Sequence, residues 1–74
     1  MEPYNIGPRV RAACERSGMT QAEIARKAEM NWPQLWKILR GERARGVSSE
    51  TLRRLALALD VSTDYLLGLR ETPP

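Results

Sequence analysis

Apolar side chains recur along the chain at three- and four-residue steps: Ile6, Val10, Ala13 and Cys14 in one stretch, Leu52, Leu55, Ala56 and Leu59 in another. That is the spacing of one buried helix face, and no stretch alternates with the two-residue period of a strand. A short polar residue able to accept from the free backbone N–H groups of a helix start precedes each periodic stretch, at Asn5, Thr20, Asn31, Ser48 and Ser62. The pattern predicts an all-α fold of about five short helices.

Thr20 with Glu23, and Asn31 with Gln34, stand at the three-residue spacing of a capping box, so two helices begin eleven residues apart. The first has room to run only from Gln21 to about Ala28, with Glu29 and Met30 as a tight turn, and the second runs from Trp32 to Arg40. Pro33 agrees with that boundary. In a first helical turn its missing N–H had no partner, whereas in one continuous helix it would break the backbone ladder. Ile24, Ala25 and Ala28 face inward on the first helix, Leu35 and Ile38 on the second, and Met30 fills the corner. Two readings fit this spacing, a helix-turn-helix and a plain helical hairpin in a small bundle.

With 74 residues the chain is read as one domain, residues 1–70, with a frayed tail at 71–74, and most of its apolar residues are needed for the core. One cysteine, Cys14, and no histidine leave no internal disulfide and no metal site, which points to a reducing cytoplasm and no cofactor. Neither a signal peptide nor a membrane span is legible. The formal net charge is +3, yet between Lys37 and Arg54 six basic residues stand against two glutamates, a local +4 that leaves −1 for the rest. Such a stretch suits a solvated face or an anionic partner. No nucleophile stands with a base, and no glycine-rich phosphate loop is present, so an enzyme is the weakest reading.

The run Gly18-Met19-Thr20-Gln21, then Ile24-Ala25, Met30-Asn31, Leu35, Ile38 and Arg40-Gly41, followed by Glu50-Thr51-Leu52 and Leu59-Asp60-Val61-Ser62, resembles the phage-repressor (Cro-like, XRE-type) helix-turn-helix family. The resemblance covers residues 6–68 and implies a compact five-helix domain that binds DNA, usually as a dimer. Three departures stand out. Glu29 occupies a turn position where the family commonly has glycine, and a side chain in a left-handed conformation costs on the order of 1 kcal/mol. Cys14 and Leu39 occupy positions that often carry an arginine and a glutamate paired across the first and third helices. Replacing such a buried ion pair by packed apolar groups is often neutral or stabilising, so Cys14 and Leu39 are expected to meet in the core, with no reactive role for the thiol. The segment 41–47 is longer than the family pattern and carries Arg43 and Arg45.

By the same resemblance, the helix starting at Trp32 is the recognition helix, presenting Trp32, Pro33, Trp36, Lys37 and Arg40 on the side away from Leu35 and Ile38. Lys37 suits guanine, and Gln34, turned outward, suits adenine or a phosphate. Trp32, Pro33 and Trp36 lack bidentate donors and would act by apolar contact, for example with thymine methyls, although both tryptophans could instead pack in the core. Phosphate contacts are expected from Thr20 and Gln21 at a helix start and from Arg40, Arg43 and Arg45. Arg9, Arg11, Arg16, Arg53 and Arg54 read as solvated or paired with nearby acids. Tyr65, Leu66, Leu67 and Leu69 are too apolar for a short terminal helix to bury alone, which predicts a two-fold homodimer contact there. Such a dimer would set two recognition helices about 34 Å apart, on an inverted-repeat duplex. The rival is a protein-interaction module, antitoxin-like or anti-repressor, using the Trp32 and Trp36 face.

Overall fold

The computed structural model describes residues 5–41 and 47–71. Among the described residues the chain forms five helices and no strand: α1 (Gly7–Ser17), α2 (Gln21–Lys27), α3 (Trp32–Leu39), α4 (Ser49–Leu59) and α5 (Thr63–Leu66). Four of them start where a short polar side chain accepts from a backbone N–H: Thr20 from Glu23, Asn31 from Gln34, Ser48 from Thr51 and Ser62 from Tyr65. At α1 the expected cap is shifted by one residue. Ile6 holds the cap position, and Asn5 Oδ1 accepts from the Gly7 N–H at 2.9 Å, with Pro8 in the first turn.

The capping box at α2 is complete: Thr20 Oγ1 accepts from the Glu23 N–H, and Glu23 Oε1 accepts from the Thr20 N–H, both at 3.1 Å. Donation to the Glu23 carboxyl from the Thr20 N–H, and next from the Thr20 hydroxyl, holds it below the usual carboxylate range. At Asn31 only half the box forms, with Asn31 Oδ1 accepting from the Gln34 N–H at 2.9 Å. The neutral Gln34 amide gains less than a carboxylate from turning back toward the positive end of a helix.

Helix α2 ends as the eleven-residue spacing of the two helix starts requires. Glu29 takes a left-handed φ of 56°; its N–H donates to Arg26 and the Met30 N–H donates to Ala25, at 3.1 and 2.9 Å. This pair of bonds satisfies two carbonyls left free at the helix end and turns the chain toward α3. Asp60 ends α4 in the same way, with φ 56° and the Val61 N–H donating to Ala56 at 3.0 Å.

One apolar core joins all five helices. Val10, Ile24, Leu35, Ile38, Leu55 and Leu66 are its fully buried large side chains, with Met19, Met30, Val47, Leu52 and Val61 packed around it. No polar or charged side chain is buried among the described residues. Cys14 and Leu39 both lie in this core, on helices that pack against each other. Burial, and secondarily the neighbouring Glu15, raise the Cys14 thiol above its ordinary range, so the nucleophilic thiolate is disfavoured.

The start of α1 lies against the end of α3. A Cβ on Gly7 would sit 2.8 Å from the Ile38 carbonyl oxygen, and one on Gly41 would sit 2.6 Å from Asn5 Nδ2. Arg11 donates from Nη2 to the Leu39 carbonyl, so a cation occupies the negative end of the α3 dipole. Arg9 donates from Nη1 to the Arg70 carbonyl at 2.9 Å and lies over the Tyr65 ring. Arg9 and Arg11 thus tie α1 to backbone carbonyls distant in the sequence, a role beyond the one read from their positions, while Arg11 stays exposed as expected. Arg53 and Arg54 do pair with Glu50, at 3.8 and 3.1 Å.

Tyr65 and Leu66 are also corrected. They are 7% and 0% exposed, because α5 packs on both α1 and α4, and they have no surface left for a dimer contact. Leu67 and Leu69 do remain exposed, as does Leu57 on α4.

Two substitutions test this packing. Glu29→Gly removes a side chain from a left-handed position on the surface and is expected to raise unfolding stability by about 1 kcal/mol in chemical denaturation; a loss of stability would contradict the strain assigned to this turn. Gly7→Ala is decided by sign. Helix propensity alone favours alanine by about 1 kcal/mol, whereas crowding a backbone carbonyl costs about 1–3 kcal/mol. The close approach to Ile38 predicts net destabilisation, and a stabilised Gly7→Ala would rule it out.

Candidate nucleic-acid interface

Helix α3 is divided lengthwise. Leu35, Ile38 and Leu39 are buried against α1 and α2, which fixes the helix's rotation and leaves Trp32, Pro33, Trp36 and Lys37 exposed on the other side, with Arg40 exposed just past its end. Gln34 is half-buried at the margin. The exposed face is the one expected from the sequence, but its make-up is more specific.

Trp32 and Trp36 are 48% and 38% exposed, so neither is a core residue. Their rings stack on one another, with centroids 6.1 Å apart and planes 24° from parallel. The Arg40 guanidinium carbon lies 4.3 Å from the centroid of the Trp36 ring, a cation–π contact. Trp32, Trp36 and Arg40 thus form a ladder at four-residue intervals along one side of α3. The spacing was visible in the sequence; the stacking was not, since four-residue spacing permits contact without requiring it.

Around this ladder the polar groups are few. Lys37 is exposed beside it and is the one ammonium on α3, with three donors and no acceptor. At the start of α2, Gln21 is exposed and unused by the cap. Thr20 does not fit the phosphate contact expected of it. Its N–H and its hydroxyl both donate to Glu23 Oε1, at 3.1 Å each, so its donors are taken, and the carboxylate beside them repels an anion. Arg43 and Arg45, the other expected phosphate contacts, lie outside the described residues.

A second feature lies apart from α3. An open groove of about 490 Å³ between the C-terminal ends of α1, α2 and α4 is lined by Arg16, Lys27 and Asp60 together with Met19, Leu59 and Val61. Its charges are of mixed sign. Among the described residues no three of His, Cys, Asp and Glu come together as metal ligands would, and no helix is long and apolar enough to cross a membrane.

The geometry of α2, the Glu29 turn and the exposed α3 agrees with comparisons to known proteins. The family model for the helix-turn-helix domain matches residues 5–67. Among solved structures, the restriction-modification controller protein C.AhdI from Aeromonas hydrophila is similar: 27% identical, covering 85% of this chain and 92% of that one, with a TM-score of 0.75. No curated protein sequence matches. With the family model matching residues 5–67, and α2 and α3 joined by the tight turn at Glu29, the chain belongs to the helix-turn-helix domain family and is a DNA-binding regulator.

Proposed function

We propose that the chain is a sequence-specific repressor of transcription that lays α3 in the major groove of an inverted-repeat duplex and acts by binding rather than catalysis. The observation that carries this reading is the exposed face of α3, where Trp32, Pro33, Trp36 and Lys37 project from a helix whose other side is locked into the core. Side chains near the start of such a helix reach base edges, while the preceding helix crosses the phosphates. Lys37 donates to guanine, Gln34 turns outward to adenine or a phosphate, and the indoles and Pro33 make apolar contact. Gln21 and Arg40 hold the backbone, joined by Arg43 and Arg45.

The homodimer contact of this reading falls on Leu67 and Leu69, with Leu57 of α4 as a further exposed apolar side chain. A two-fold dimer then matches a two-fold site. Similarity to a restriction-modification controller supports a regulatory role, exercised on DNA in the cytoplasm. A second reading draws on the half-exposed indole pair itself: docking of that face on a protein partner.

Selection from a randomised duplex pool, followed by titration at several salt concentrations, separates the two. A groove reader recovers an inverted repeat, and the logarithm of its affinity falls with the logarithm of salt by about 0.9 for each phosphate neutralised. Lys37→Ala is expected to weaken the selected site by about 1–3 kcal/mol while leaving non-specific affinity nearly unchanged. No sequence preference at low salt would favour the protein-docking reading of α3.

A further inference from the structure

The ladder on α3 bears on which chemical feature of the bases is read, an inference that rests on the groove-reading function just proposed. Trp32 and Trp36 are fixed against each other by stacking, and Arg40 lies over Trp36. Rings already stacked in the free protein have less conformational freedom to lose on binding than separate ones. What it offers is indole edge and face, with one N–H donor per ring and no acceptor. Such a surface cannot make the bidentate hydrogen bonds by which Asn, Gln or Arg identify a base. The apolar group on the floor of the major groove is the C5-methyl of thymine. A cytosine methylated at C5 carries the same methyl at the same ring position, facing the same groove.

We propose that the stacked Trp32–Trp36 pair reads pyrimidine C5-methyl groups, so that the protein distinguishes methylated from unmethylated pyrimidines and binds a site more tightly when a cytosine under the pair is 5-methylated. The charge of the helix favours this occupant: Arg40, exposed at the end of the ladder over Trp36, suits a phosphate beside the groove. Apolar contact supplies base discrimination at the ladder, and Lys37 supplies it by hydrogen bonding next to it. The state of cytosine C5-methylation thereby becomes an input to regulation.

The test uses the full chain and the duplex recovered by selection. At each pyrimidine of a half-site, four duplexes are compared: thymine, uracil, cytosine and 5-methylcytosine. Uracil differs from thymine, and cytosine from 5-methylcytosine, only by the methyl, so each pair isolates that group without altering hydrogen bonding. At one or more positions the methyl is expected to tighten binding about fourfold in both pairs, the value of one buried methyl-sized group. Trp32→Ala, an exposed position, is expected to weaken the selected site and to abolish both methyl-dependent differences. Lys37→Ala is expected to keep them. Sequence-selective binding with thymine equal to uracil and cytosine equal to 5-methylcytosine throughout would overturn the inference and leave hydrogen-bond readout standing. A methyl effect that survives in Trp32→Ala would overturn its assignment to the indole pair. Absence of any sequence preference would sink the groove reading itself, and the inference with it.

Discussion

Burial of Leu35, Ile38 and Leu39 against α1 and α2 sets which side of α3 faces solvent, and the approach of Gly7 to the Ile38 carbonyl sets where that helix ends. The two constraints act on different degrees of freedom. The apolar contacts fix rotation about the helix axis, because turning the helix by one residue would bring Trp36 inward and Leu35 out. The α1 contact fixes translation and tilt: the Gly7 backbone fits against the last carbonyls of α3, Asn5 lies over Gly41, and Arg11 bonds to the Leu39 carbonyl. An exposed face of five residues is thereby held in place by one apolar core.

The same apolar core explains the polar architecture. With no buried polar or charged side chain among the described residues, hydrogen bonding from side chains is concentrated at helix ends, where backbone groups lack partners. Thr20, Asn31, Ser48 and Ser62 close the starts, and left-handed residues at Glu29 and Asp60 close two of the ends. The cost of a non-glycine residue at Glu29 is offset by two backbone bonds and by the short turn they produce between α2 and α3. Substitution of Cys14 and Leu39 for a cross-helix ion pair fits a core that contains no charge.

Local signals were legible from the sequence because they depend on neighbours a few residues apart. Caps, the Thr20–Glu23 box, the turn at Glu29 and the inward faces of α2 and α3 belong to this class, and so does the pairing of Arg53 and Arg54 with a nearby acid. Readings that depended on distant partners fared differently. The bonds of Arg9 and Arg11 were not legible because their acceptors, the Arg70 and Leu39 carbonyls, are backbone atoms far along the chain. Tyr65 and Leu66 looked surplus because α5 is only four residues long; its docking on both α1 and α4 uses them. Thr20 was read as a free donor when its cap role already committed both donors. At the interface, composition predicted apolar contact, while the ordered stack with Arg40 required side-chain geometry.

Both tryptophans of the chain, Trp32 and Trp36, lie on α3, so intrinsic tryptophan fluorescence reports on that face alone. The most direct measurement is acrylamide quenching of this fluorescence in the free protein and in its saturated complex with the selected duplex. Insertion of α3 into the major groove predicts that the half-exposed indoles become shielded and the quenching constant falls in the complex. An unchanged quenching constant at saturation would mean that DNA engages another surface, and would contradict the assignment of α3 as the reading helix.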